Sequence, residues 1–166
     1  IDIPGHCYAV LQALPQLRDP GETGEYLSVQ GFPNNCLNPA HEAVYPFIET
    51  VIDEVLELFP AGVLHLGADE VPLAAWSGSP EALALLAELA DNEAAERHRA
   101  RANTLSAHDE ADAIEGSGTA ALQAHFIDRV HRYIASGSAI TGAWEEAAHG
   151  GGIDKARSYL VGWRDV

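Results

Sequence analysis

Residues 63–67, Val-Leu-His-Leu-Gly, form a short apolar run that follows directly on a well-marked amphipathic helix, and no other feature restricts the fold as much. A strand that is apolar on both faces belongs inside a parallel sheet, where neighbouring strands are joined by helical crossovers. Between Asn38 and Pro60, the residues Val44, Phe47, Ile48, Val51, Ile52, Val55, Leu56 and Phe59 recur at i, i+3, i+4, i+7 spacing. Glu49, Asp53, Glu54 and Glu57 lie largely off that stripe, so one face packs and the other is solvated. Asn38 followed by Pro39 predicts an N-cap and first helical position, and Pro60 with Gly62 predicts the stop.

The same step repeats along the chain. Ile1-Asp2-Ile3 reads as the end of a strand that Pro4-Gly5-His6 turns into a loop. Residues 81–101, rich in Ala, Leu and Glu, predict a helix, and the polar, Gly/Ser-rich stretch 102–119 predicts a loop. Leu122, Phe126, Val130, Tyr133 and Ile134 restore helical spacing up to Ser136-Gly137. A strand is expected at about 139–144, a short helix near 153–158 after the triple glycine 150–152, and a last buried strand over 159–163.

Strands alternating with helices predict one α/β domain over residues 1–166, with parallel strands in either an open doubly wound sheet or a (β/α)8 barrel. His6, Asp69-Glu70, Trp144-Glu145-Glu146 and Trp163-Arg164-Asp165 each fall at the C-terminal end of a successive predicted strand. That is the rim where barrel enzymes gather their chemistry, which favours the barrel. A whole barrel takes about 250 residues, so the expectation is a partial one. Its open sheet edge invites pairing, and a homodimer that completes the edge is the expected assembly.

Nine Lys and Arg against 25 Asp and Glu give a formal net charge of −16, which argues against nucleic acid or an anionic membrane as the main partner. No apolar run approaches the roughly 18 to 20 residues of a membrane span. A chain that opens on Ile1 and has no methionine is read as starting inside a longer protein, so no compartment is assigned. Cys7 and Cys36 lack framework spacing and are read as two buried thiols in preference to a bridge.

Asp69-Glu70 carries the chemistry. Two adjacent carboxylates at a strand end offer one group to stay ionised and one to hold a proton, the division that glycoside cleavage needs, although such a pair in isolation is more often a solvated turn. The string His65-Leu66-Gly67-Ala68-Asp69-Glu70 resembles the His-x-Gly-Gly/Ala-Asp-Glu signature of glycoside hydrolase family 20, the β-N-acetylhexosaminidases. Asp2-Ile3-Pro4-Gly5-His6 is similar to that family's Asp-x-Pro-Gly-His at barrel strand three, Gly142-Ala143-Trp144-Glu145-Glu146 to its Gly-Trp-(Asp/Glu)-Glu at strand five, and Gly162-Trp163-Arg164 to its strand-six tryptophan. The resemblance spans nearly the whole chain and implies barrel strands three to six.

It implies a retaining reaction on terminal β-linked N-acetylglucosamine or N-acetylgalactosamine in which the substrate's own acetamido oxygen is the nucleophile, a departure from the usual two-carboxylate scheme. Glu70 would be the general acid and base, Asp69 would orient the acetamido group, and His6 would tune the proton on Glu70, against a purely structural role for His6 in its loop. Trp144 and Trp163 would wall the substrate pocket, against plain core burial. His65 is read as fixing strand geometry or the carboxylates by hydrogen bonding in preference to meeting the sugar, and Asp2 as part of the strand-end network. Trp76 is left between an outer subsite and a cover for the rim, and Glu145, Glu146 and Asp165 between structural and site roles. His6, His65, Asp69 and Glu70 are all potential metal ligands, but they lack metal-binding spacing and the family chemistry needs no ion, so neither metal nor cofactor is expected. A catalytically silent carbohydrate-binding or structural half-barrel is the alternative, because the family's remaining strands contribute further site groups.

Overall fold

Three parallel strands order the molecule, and each is reached by a crossover. The computed structural model describes residues 1–103, 118–154 and 156–163. Its regular elements are α1 (Tyr8–Ala13), α2 (Val44–Leu58), β1 (Val63–His65), α3 (Pro80–Asn103), α4 (Gly118–Ser136), β2 (Ile140–Trp144) and β3 (Ser158–Val161). The sheet order is β1-β2-β3, with His65 opposite Gly142 and Trp144 opposite Val161. This is the α/β, parallel-strand class that the alternating pattern predicts.

The opening segment is not a regular strand, contrary to expectation, yet it lies along β1 on the side away from β2. The Ile3 N–H donates to Leu66 O at 2.9 Å and the terminal ammonium of Ile1 to His65 O at 3.1 Å. Pro4 has no N–H to continue a ladder.

α2 begins at Val44, not at Asn38. The Asn38 side chain is committed elsewhere: its Oδ1 accepts from Ala40 N–H, and its Nδ2 donates to Asp19 Oδ2 at 2.7 Å and to Ser79 Oγ at 2.9 Å. A buried amide with three partners pins a loop and cannot also cap a helix six positions downstream. α2 then buries Val44, Ile48 and Ile52 of the predicted stripe and, outside it, Tyr45, while Phe59, the last residue of that stripe, lies beyond the helix end and is 65% exposed. The four buried residues pack with Leu64 and Leu66 and with Phe126, Ile127, Val130 and Ile134 of α4 into one core.

Ser79 starts α3, its Oγ accepting from Ala82 N–H at 3.1 Å with Pro80 next in line. The stretch expected as a loop is shorter than 102–119: residues 102–103 continue α3 and 118–119 open α4, while 104–117 lie outside the described residues. Among the described residues, no helix forms near 153–158. Asp154 Oδ1 accepts from Ala156 N–H and the Asp154 carbonyl from Ser158 Oγ, a local turn that competes with helix, after Gly151 and Gly152 at φ +84° and +89°. A 3-10 turn at Glu145–Ala148 stands in the crossover instead.

β3 was expected to be buried and is not. Tyr159 and Leu160 are each 41% exposed, because among the described residues β3 pairs only with β2 and nothing covers its outer side. Cys7 and Cys36 are free and buried, as expected.

Candidate active site

β1 ends in a run of backbone that few side chains tolerate. Gly67, Ala68 and Glu70 have φ of 70°, 67° and 51°, and His6, on the facing loop, 54°. Left-handed conformations at non-glycine residues persist only where surrounding contacts impose them. Those contacts are present. Leu66 N–H donates to Gly142 O, Trp144 N–H to Gly67 O and Gln123 Nε2 to Ala68 O, at 2.8–2.9 Å. The Glu70 N–H donates to Glu146 Oε2 at 3.0 Å. The turn therefore aims both carboxylates toward the loop that bears His6.

His6 Nε2 stands 3.7 Å from Asp69 Oδ2, 3.7 Å from Glu70 Oε2 and 3.9 Å from Asp2 Oδ2. The Asp69 and Glu70 side chains are each 15% exposed, sheltered but open to a small molecule. His6 Nε2 and Asp69 Oδ1 are buried atoms with no hydrogen-bond partner among the described residues. Unsatisfied polar atoms are rare in a finished protein interior, and these two meet in one carboxylate-histidine cluster. Burial, then the neighbouring Asp69 carboxylate, pushes Asp2 up to about 6, partly offset by His6. Asp2, His6 and Asp69 offer atoms close enough to touch one cation, but the same atoms belong to the carboxylate-histidine network just described.

His65 sits one step behind the turn. Its Nδ1 accepts from Gly67 N–H at 3.1 Å, and its ring meets Trp144 edge-on at 5.0 Å. Burial holds it below its usual value, which favours the neutral ring that this acceptor role requires. Trp144, half-buried at the end of β2, lies 6.5 Å from Trp163, which is 47% exposed. The Trp163 N–H donates to Glu145 Oε2. Asp165 and Arg164 lie outside the described residues. Trp76 neither lines an outer subsite nor covers the rim: it is 1% exposed, in a second core with Tyr26, Cys36 and Leu122.

Two groups at the site carry no sequence signal. Gln30 Nε2 donates to Glu70 Oε2 at 2.6 Å from a loop 40 positions away, and Gln123, on α4, holds the Ala68 carbonyl. Only Gly31, beside Gln30, marks a turn there. A groove of about 420 Å3 opens beside the site, with Glu70, Glu146, Val29 and Leu73 in its wall.

Comparison with known proteins agrees with this geometry. The model of the glycosyl hydrolase family 20 catalytic domain matches residues 1–166. A β-hexosaminidase of Vibrio furnissii is 36% identical over 157 residues, which cover 93% of this chain and 21% of that protein. The mouse β-hexosaminidase subunit alpha is 34% identical over 85 residues, 51% of this chain and 16% of that one. A crystal structure of the family 20 exo β-N-acetylglucosaminidase from Vibrio harveyi, in complex with N-acetylglucosamine, superposes with a TM-score of 0.77 at 32% identity, over 99% of this chain and 22% of that one. The chain thus spans about a fifth of the length of the two Vibrio relatives. With that family's model matched over residues 1–166, the chain belongs to the glycosyl hydrolase family 20 catalytic domain.

Proposed function

We propose that this chain is the portion of a retaining β-N-acetylhexosaminidase that holds its catalytic pair, acting on terminal β-linked N-acetylglucosamine or N-acetylgalactosamine. The observation that carries the reading is the placement of His6 Nε2 at 3.7 Å from both Asp69 and Glu70, on a strained and well-braced strand end. Segments 1–3, 63–65, 140–144 and 158–161 would be four successive staves of a (β/α)8 barrel, with this site on its C-terminal rim.

In this mechanism the acetamido carbonyl oxygen of the substrate forms a bond to C1 as the glycosidic C1–O bond breaks, and Glu70 gives its proton to the departing oxygen. Asp69 accepts the acetamido N–H, orients the group and stabilises positive charge on the oxazolinium ring. Glu70, now a carboxylate, takes a proton from the water that attacks C1 and opens the ring, so the configuration at C1 is retained. His6 would steady Glu70 through both steps. Trp144 and Trp163 would offer their rings to the apolar faces of the sugar. The chemistry requires no metal or cofactor.

The test is release of p-nitrophenol from the N-acetyl-β-glucosaminide by the intact protein and by Glu70→Gln. Turnover should fall roughly 10²- to 10⁴-fold in the variant, through loss of the base that activates the attacking water, since p-nitrophenolate departs without a proton. Equal rates in the two proteins would sink the assignment.

A further inference from the structure

Gln30 is presented by a tightly hydrogen-bonded loop. Ser28 N–H donates to Phe32 O and Gly31 N–H to Ser28 O, both at 2.9 Å, and Ser28 Oγ accepts from Phe32 N–H. Below the turn, Leu27 bridges Pro33, and Tyr26 and Asn34 exchange hydrogen bonds at 3.0 Å. Gly31 takes φ +81° with open space around it, which lets the chain reverse directly after Gln30. Phe32 stacks on Tyr8 at 5.0 Å, and Tyr8 follows His6 by two residues, so loop and histidine share one reference. The Gln30 amide therefore arrives at Glu70 Oε2 by construction of the loop, at 2.6 Å.

The charged and titratable groups around Glu70 are few. Asp69 precedes it in the same turn, His6 faces Oε2 with Asp2 behind it, Glu146 holds its N–H, and His149 shares the groove wall. Among the described residues, the one hydrogen bond to the Glu70 carboxylate is the bond from Gln30, a neutral amide that does not titrate. An oxygen that accepts an N–H is a poor place for a proton, whereas the other oxygen of the same carboxyl remains free to carry it.

We propose that Gln30 is a positioning residue that makes Oε2 of Glu70 the accepting oxygen and so assigns the transferable proton to Oε1. This rests on the reading of Glu70 as the acid. As the Oε1 proton leaves, charge spreads over both oxygens, and the amide N–H stabilises the half that collects on Oε2. The contact is thus stronger after proton transfer than before it, which is the condition for accelerating the step.

The experiment compares Gln30→Leu with wild type in the intact protein, with folding checked by near-ultraviolet circular dichroism. Gln30→Leu should lose about tenfold in kcat on an alkyl N-acetyl-β-glucosaminide, whose leaving group needs its proton, and much less on the p-nitrophenyl substrate, whose leaving group does not. In the substrate-free protein, the Glu70 13Cδ resonance at a fixed neutral pH should move in Gln30→Leu, where Oε2 loses its hydrogen-bond donor. Equal losses on both substrates, or an unmoved 13Cδ resonance, would overturn the proposal. The 13Cδ resonance needs no turnover, so it decides whether Gln30 holds Oε2 even where Glu70→Gln shows that the functional reading itself has failed.

Discussion

The carboxylate of Glu146 accepts the backbone N–H of Glu70 at 3.0 Å, across 76 positions of sequence. Glu70 sits at φ 51°, so this bond helps hold the residue in a conformation that it would not choose alone. Glu146→Ala should lower kcat about tenfold or more with little change in KM, while Glu146→Gln, whose amide oxygen can still accept, should recover most of the loss. Steady-state kinetics on the two variants checks this. A Glu146→Ala enzyme with wild-type kcat would show that the turn holds without its brace.

Asp2 gives the site a pH signature. Burial, reinforced by Asp69, pushes its carboxyl up to about 6. A group that holds its proton more tightly when folded adds stability below its unfolded value, and that contribution is lost as pH rises through about 6. Asp2→Asn cannot ionise, so its melting temperature should gain on wild type between about pH 4 and pH 7 and hold a constant difference above. Thermal melts of both proteins across that range test the sign; a difference independent of pH would mean that Asp2 ionises as freely in the folded chain as in the unfolded one.

Gly67 should tolerate no side chain. Its φ is +70°, and a Cβ there would land on the Asp2 carboxylate. Strain and overpacking together should cost Gly67→Ala about 2 to 4 kcal/mol. Gly31 is the control, with φ +81° but nothing within 4 Å of a Cβ. Gly31→Ala should cost about 1 kcal/mol, from backbone strain alone. Urea denaturation ranks the two.

Arg129 joins α4 to the start of α2. Its guanidinium makes two hydrogen bonds to Glu42, at 2.6 and 2.7 Å, and lies 3.5 Å from the centre of the Tyr45 ring. Glu42 is largely solvated and Arg129 partly so, and Arg129→Ala should cost about 1 kcal/mol, with the part due to Glu42 fading in high salt. Denaturation at low and high ionic strength separates the ring contact, which persists, from the ion pair, which does not.

The helices α2 and α4 and the strands β1 and β2 were legible because one apolar period suffices to define each, and burial rewards that period wherever the element lands. Misreadings cluster where a side chain has a distant partner. Asn38 looks like a helix cap in sequence, but Asp19 and Ser79 claim its amide. Trp76 looks like a rim residue after the catalytic pair, but Tyr26 and Leu122 close over it. β3 reads as buried because its residues are apolar, yet burial belongs to the neighbour on its outer side, about which its own residues say nothing.

The sequence by itself determined the alternation of helix and strand, the family, and the pair Asp69-Glu70 with His6, because each of these is written in adjacent residues or in a local period. Only the tertiary structure decided which oxygens and nitrogens meet. His6 reaches both carboxylates, Gln30 reaches Glu70, and Glu146 reaches the Glu70 N–H because the parallel sheet brings chain segments that are 40 to 76 positions apart within hydrogen-bond range of one turn. A hydrogen bond depends on separation in space, and a linear sequence carries that separation only through the fold.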